Sequence, residues 1–144
     1  MHSKFASVLA ASLVLSSITW AGDHPFPVMS EGKAGFADRA GKIVVPYQFE
    51  DAVTFREGLA RVKQDGKWGF VDATGTVKIA AQLDTAADFY DGLAHVCKRE
   101  GLMGHKCGFV DIEGKVVVGY EYTNAGNFSS GLACVEKDGK WGFI

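Results

Sequence analysis

The sequence predicts an all-β fold, a tandem array of antiparallel β-hairpin repeats with a period of about 34 residues. Three observations predict it. Two short blocks of sequence recur in one register, Asp-Gly pairs stand between short strand-like runs, and no stretch beyond residue 21 sustains a helical period.

The first block is Trp68-Gly69-Phe70-Val71-Asp72. It returns as Cys107-Gly108-Phe109-Val110-Asp111 and as Trp141-Gly142-Phe143-Ile144, with an earlier copy at Ala34-Gly35-Phe36-Ala37-Asp38. The second block is Phe55-Arg56-Glu57-Gly58-Leu59-Ala60-Arg61-Val62. It returns as Phe89 to Val96 and as Phe128 to Val135. The block glycines Gly35, Gly69, Gly108 and Gly142 are 34, 39 and 34 residues apart, and the extra five residues lie between Cys97 and Cys107.

Each element follows from local chemistry. Residues 1–21 read as a secretory signal peptide: Met1 to Lys4 is basic, Phe5 to Ile18 is apolar, and Thr19-Trp20-Ala21 offers small residues for cleavage. The apolar run is shorter than the ~20 residues a membrane span needs. Residues 22–144 then form a single repeat domain, with units near 32–65, 66–104 and 105–138 and a partial closing unit at 139–144. Leu59 to Val62 and Trp68 to Val71 are short strands joined through Asp65-Gly66, a pair that supplies the positive φ angles of a primed hairpin turn. Asp138-Gly139 reads the same way. Asp38 to Gly41, Asp72 to Gly75 and Asp111 to Gly114 have the composition of type I turns. Lys42 to Val45 and Lys115 to Val118 are β-branched strands. The aligned phenylalanines, 36, 70, 109 and 143 in one column and 55, 89 and 128 in the other, are expected to stack into a continuous core that no single unit could bury alone. The alternative is a small propeller-like arrangement, although a propeller takes about 40 residues per blade and at least four blades.

The run Gly66-Lys67-Trp68-Gly69-Phe70-Val71-Asp72, with Gly75 closing a turn and Phe55 to Val62 preceding it, resembles the WG-repeat family, named for its Trp-Gly pair. The resemblance covers roughly residues 32 to 144. Ala34 and Cys107 depart from it, standing where tryptophan is expected. It implies an architecture and brings no catalytic residues.

Composition bounds the function. A formal charge of −2 with no long basic run gives no footprint for nucleic acid. No second apolar stretch approaches spanning length, so no membrane insertion is expected once the signal is removed. There is no G-x-S-x-G elbow, no zinc-protease histidine motif and no P-loop, since Ile43 follows Gly41-Lys42 where a hydroxyl is required. Asp38, Asp72 and Asp111 recur with the turn glycines, which assigns them to turns rather than acid–base chemistry. No cofactor is expected.

One cluster stands out. His95, Cys97, His105 and Cys107 form two His-x-Cys pairs across the inserted segment, a set that could converge on zinc or copper. The rival is a disulfide between Cys97 and Cys107. Aligning the units favours the disulfide: Cys97 takes the place of Lys63 and Cys107 that of Trp68, positions that face each other across a hairpin with a two-residue turn. An exported chain also meets oxidising conditions. Cys134 is left over.

The expected function is that of an exported, non-catalytic binding or interaction module, periplasmic or secreted, whose partner is a protein, peptide or glycan. Exposed positions that vary between units are the candidate readers: Arg61, which becomes His95 and Cys134, and Arg56, which becomes Tyr90 and Ser129. A metal-handling protein using His95, Cys97, His105 and Cys107, and a hydrolase without a recognisable site, are the alternatives.

Overall fold

A computed structural model describes residues 24–144. The signal peptide read at 1–21 and its cleavage point lie outside the described residues. Within them the chain is all-β, with fourteen strands and no helix.

The strands form four antiparallel sheets in chain order. The first holds β1 (Phe26–Ser30), β2 (Lys33–Ala37) and β3 (Ile43–Phe49). The second holds β4 (Asp51–Ala52), β5 (Ala60–Gln64), β6 (Lys67–Val71) and β7 (Val77–Leu83). The third repeats that order with β8 (Thr85–Ala86), β9 (Leu93–Glu100), β10 (Gly104–Asp111) and β11 (Val116–Tyr122). The fourth has β12 (Asn124–Ala125), β13 (Cys134–Lys137) and β14 (Lys140–Phe143). The repeat is therefore a small sheet built on a hairpin, and a third long strand pairs with the hairpin's second arm. Seen as hydrogen-bonded sheets, the units divide between β3 and β4, β7 and β8, and β11 and β12. The sequence phase of 32–65, 66–104 and 105–138 cuts through or near hairpin turns instead. The sheets do not close into a barrel.

The turns follow the predicted chemistry. Asp65 and Gly66 have φ of 51° and 74°, and Asp138 and Gly139 have 53° and 73°; positive values at both central residues define the primed turn that matches strand twist. Glu57-Gly58, Asp91-Gly92 and Ser130-Gly131 share this conformation. They fold the second block back on itself through the bridges Arg56↔Leu59, Tyr90↔Leu93 and Ser129↔Leu132. The aspartates predicted to build turns do so. Asp72 Oδ1 accepts from the Thr74 amide at 2.9 Å and the Thr76 amide at 3.0 Å, and the Gly75 amide donates to the Asp72 carbonyl at 2.9 Å. Asp38 and Asp111 make the same set. The hydroxyl of Thr74 holds the Asp72 carboxyl below its ordinary range.

The core runs across the unit boundaries. Phe36 meets Phe55 at 5.0 Å between ring centroids, Phe70 meets Phe89 at 5.0 Å and Phe109 meets Phe128 at 4.9 Å. Each pair joins the second arm of one hairpin to the segment that opens the next. Around them lie three clusters; one, for example, unites Phe70, Ile79 and Leu83 of the second sheet with Ala86, Val96 and Val110 of the third. Burying each ring contributes about 1.5–3 kcal/mol, and the ring pairing roughly 0.5–1.5 kcal/mol more. Neighbouring units are also pinned at their turns, where Glu57 Oε2 accepts from the Gly92 amide at 2.8 Å. Phe143 departs from its column. It is 75% exposed, while Phe36, Phe70 and Phe109 are at most 1% exposed, because the fourth sheet lacks a third long strand among the described residues.

Candidate functional site

The inserted five residues do not form a loose flap. They lengthen one hairpin: beyond Cys97↔Cys107 and Lys98↔Lys106, which match Lys63↔Trp68 and Gln64↔Lys67, β9 and β10 add Arg99↔His105 and Glu100↔Gly104. The tip is Gly101-Leu102-Met103, with Gly101 at a φ of 66°. The other three hairpins end at two-residue turns directly beyond the rung that matches Lys98↔Lys106, namely Ser30↔Lys33, Gln64↔Lys67 and Lys137↔Lys140, so the third projects further than its neighbours.

A disulfide joins Cys97 to Cys107 at the base of this extension. The pair occupies the rung of Lys63↔Trp68 in the second sheet, as the alignment predicted. Asp84 fixes the extension from the side: one carboxylate oxygen accepts from the Arg99 amide at 2.5 Å and the other from Lys67 Nζ. The Lys67 hydrogen bond, with the Arg99 amide second, holds the Asp84 carboxyl below its ordinary value. Among the described residues nothing covers the tip. Leu102 is 96% and Met103 99% exposed. Beside them lies a cleft of about 360 Å³ lined by Asp84, Thr85, Arg99, Leu102, Met103 and His105.

The predicted reader residues separate into two pairs of roles. Arg61 is half-buried at the seam between units, where Nε donates to Asp88 Oδ1 at 2.6 Å and an Nη donates to the Ala86 carbonyl at 2.6 Å. Its guanidinium carbon also lies 5.3 Å from the Trp68 ring centroid. His95 takes the same place one unit on, beside Asn127 and Gly126. Asn127 is the counterpart of Asp88, so Arg faces Asp at one seam and His faces Asn at the next. Burial lowers the His95 imidazole below its ordinary value, and Nδ1 has no hydrogen-bond partner. Cys134, the third in this column, is a free, half-buried thiol. Arg56 and Tyr90 meet instead on the surface, with the guanidinium carbon 5.7 Å from the ring centroid, an arrangement typical of cation–π pairs. Near them Glu57, Leu59, Asp72, Lys78 and Ile112 line a shallow apolar cleft of about 280 Å³.

The four residues weighed for a metal are not gathered as ligands. The disulfide takes up both sulfurs. His95 sits at the unit seam and His105 at the far end of the hairpin, opposite Arg99. Among the described residues no group of three or more His, Cys, Asp or Glu side chains is placed to hold a metal ion. No helix of the described residues is long and apolar enough to cross a membrane.

The projecting apolar tip had a signal in the sequence, since Leu102-Met103 sits in the only insertion of an otherwise even repeat. Its regular strand pairing did not, because Lys98 to His105 carries no alternation of apolar and polar residues.

Comparison with known proteins supports the architecture. A profile described as the WG containing repeat matches residues 35–68, 68–101 and 108–141. No curated protein matches the chain, and no solved structure does. With three matched copies filling more than half of its length, the chain belongs to the family of WG-repeat proteins.

Proposed function

We propose that the chain is an exported, non-catalytic interaction module that engages a partner protein through the braced β9–β10 hairpin. The observation that carries this reading is the pairing of Leu102 and Met103, exposed at 96% and 99%, with a base locked by Cys97–Cys107. Two large apolar side chains held in water on a stiffened projection contribute nothing to this fold, and burial in a partner's pocket would recover about 1.5–3 kcal/mol for each. Stiffening the hairpin reduces the entropy lost on binding. The repeat units serve as the scaffold. The recurring aspartates are engaged in turns, which supports a binding role over a hydrolytic one. Export is supported by the disulfide, which persists in oxidising compartments, and by the order of residues in 1–21. The Arg56–Tyr90 pair is a second contact surface for a peptide or glycan.

The test compares the full chain with a Leu102→Ser/Met103→Ser variant. Both are used to capture partners from the envelope fraction of the native host. Loss of the same protein from the variant, at an unchanged melting temperature, supports the reading. Equal capture by both chains refutes it.

A further inference from the structure

The hairpin tips differ in charge as well as in length. Three of them turn through an acidic residue and a glycine: Glu31-Gly32, Asp65-Gly66 and Asp138-Gly139. In the β9–β10 hairpin the place of Asp65 falls to Arg99, which follows the Lys98↔Lys106 rung and pairs with His105. A cation thus stands where the other tips carry an acid, and the turn itself is carried outward to Gly101-Leu102-Met103.

Residues paired across a rung share a face, and faces alternate from rung to rung. Arg99 and His105 therefore lie on the side of Cys97 and Cys107, while Lys98, Lys106 and Glu100 lie on the other. The Arg99 side borders the cleft of about 360 Å³, where Leu102 and Met103 join Arg99 and His105 in the lining. The acid in that lining is committed elsewhere, because the two carboxylate oxygens of Asp84 are taken by Lys67 Nζ and by the Arg99 main-chain amide. The Arg99 guanidinium and the His105 ring are exposed and make no hydrogen bond or ion pair among the described residues. One side of the projection therefore combines unpaired hydrogen-bond donors, a concave surface and two uncovered apolar side chains.

We infer that this cleft takes a carboxylate from the partner protein, an aspartate or glutamate that stands beside an apolar surface covering Leu102 and Met103. The inference rests on the reading of the hairpin as the contact surface and adds the chemistry which that surface selects. The carboxylate accepts from the paired N–H groups of Arg99, a geometry that guanidinium and carboxylate match in two parallel bonds. It also accepts from a ring N–H of His105, which donates in either protonation state. Covering Leu102 and Met103 removes water from beside the ion pair and strengthens it. An anionic lipid surface fits this hairpin less well. Glu100 stands on the last rung, nearer the tip than any of the four cations, and would be pressed against the anionic plane. A plane also leaves the cleft unfilled.

The full chain, with its disulfide intact, is used to select from a random short-peptide library, with parallel selection on Leu102→Ser/Met103→Ser. Peptides that need the tip are then titrated against Arg99→Gln, Arg99→Glu and His105→Gln. These substitutions change exposed side chains and keep the Arg99 amide that Asp84 holds, so the melting temperature should match that of the parent. The tip-dependent peptides should be enriched in Asp or Glu next to a large apolar residue, and binding should weaken with added salt. Arg99→Gln should weaken binding roughly tenfold or more. Arg99→Glu should abolish binding and recover it when lysine replaces the acid of the peptide, a reversal that a structural role for Arg99 would not produce. Tip-dependent peptides without an acid, or with equal affinity for Arg99→Gln, would overturn this inference and leave the tip as the contact surface. Absence of tip-dependent peptides would overturn it too, and the reading of the tip would then stand or fall by partner capture. Tip-dependent binding to phosphatidylglycerol vesicles, with no acidic peptide selected, would overturn it and give the tip to a lipid surface.

Discussion

Cys97 and Cys107 are linked across the rung that Lys63 and Trp68 occupy one unit earlier, so a covalent bond stands where the preceding sheet has a tryptophan against a lysine stem. The link closes a segment with a sequence separation of 10, for which loop-closure entropy gives a stabilisation of about 2–4 kcal/mol. Cys97→Ala/Cys107→Ala should lower the unfolding free energy by that amount in denaturant titration. Thiol counting on denatured, unreduced protein should find one free group, Cys134, and none in Cys134→Ser. Three free thiols would remove the disulfide and the brace with it.

The His95 imidazole gives the fold a pH dependence of known sign. Burial favours its neutral form, and the nearby Arg61 charge acts in the same direction, so its folded pKa lies below the ordinary 6.5. The stability held above that value is lost as the pH falls through the folded pKa, because the unfolded chain takes up a proton that the folded chain resists. The melting temperature should fall from pH 7 to pH 5, and His95→Gln should flatten that slope. Asp72 and Asp84, with pKa values below 3.8, contribute only in a more acidic window. Identical slopes for the parent and the variant would exclude His95 as the source.

Gly108 and Gly142 hold equivalent places with opposite surroundings, and alanine at each should behave differently. At Gly108 the new methyl carbon would lie 2.4 Å from the Val118 carbonyl, forcing β10 and β11 apart at a cost of roughly 1–3 kcal/mol or more. Thermal denaturation of Gly108→Ala should show a clear drop, while Gly142→Ala should match or slightly exceed the parent. Equal effects at both sites would mean that the third strand does not bulge over the glycine.

Asp84 ties the projecting hairpin to the second sheet through Lys67 and the Arg99 amide. The side chains are partly exposed, at 43% for Lys67 and 29% for Asp84, so solvent screening limits the loss in Asp84→Ala to about 1 kcal/mol. The effect should be local: faster amide exchange at Arg99, with core amides such as Val96 unaltered. Unchanged exchange at Arg99 would show that the disulfide alone holds the extension.

The phenylalanine column is a further measurable feature. Phe89 is 1% exposed and packs edge to face on Phe70 across a unit boundary. Phe89→Ala should destabilise by about 3–5 kcal/mol in denaturant titration, while Phe143→Ala, at 75% exposure, should change stability by less than about 1 kcal/mol. Comparable losses would mean that Phe143 is buried in solution.

The sequence by itself determined the architecture, because the information there is local and repeated. Asp65-Gly66 selects its own turn, Asp72 caps its own backbone, and the matching places of Phe55, Phe89 and Phe128 in the second block give equivalent contacts in successive units. The facing of Cys97 and Cys107 followed from the same logic, since hairpin register is set by neighbours in the chain. What depended on segments distant in sequence was decided only by the tertiary structure. Arg61 and His95 vary between units as a reader of ligands would, yet their environment is set by Asp88 and Asn127 in the next unit, about thirty residues away. The four-residue metal set looked compact in sequence, but strand direction carries His95 and His105 toward opposite ends of one hairpin. Gly142 and Phe143 are indistinguishable from Gly69 and Phe70 as letters. The strand laid across Gly69 buries Phe70, and with no such neighbour beside β14 among the described residues Phe143 is exposed.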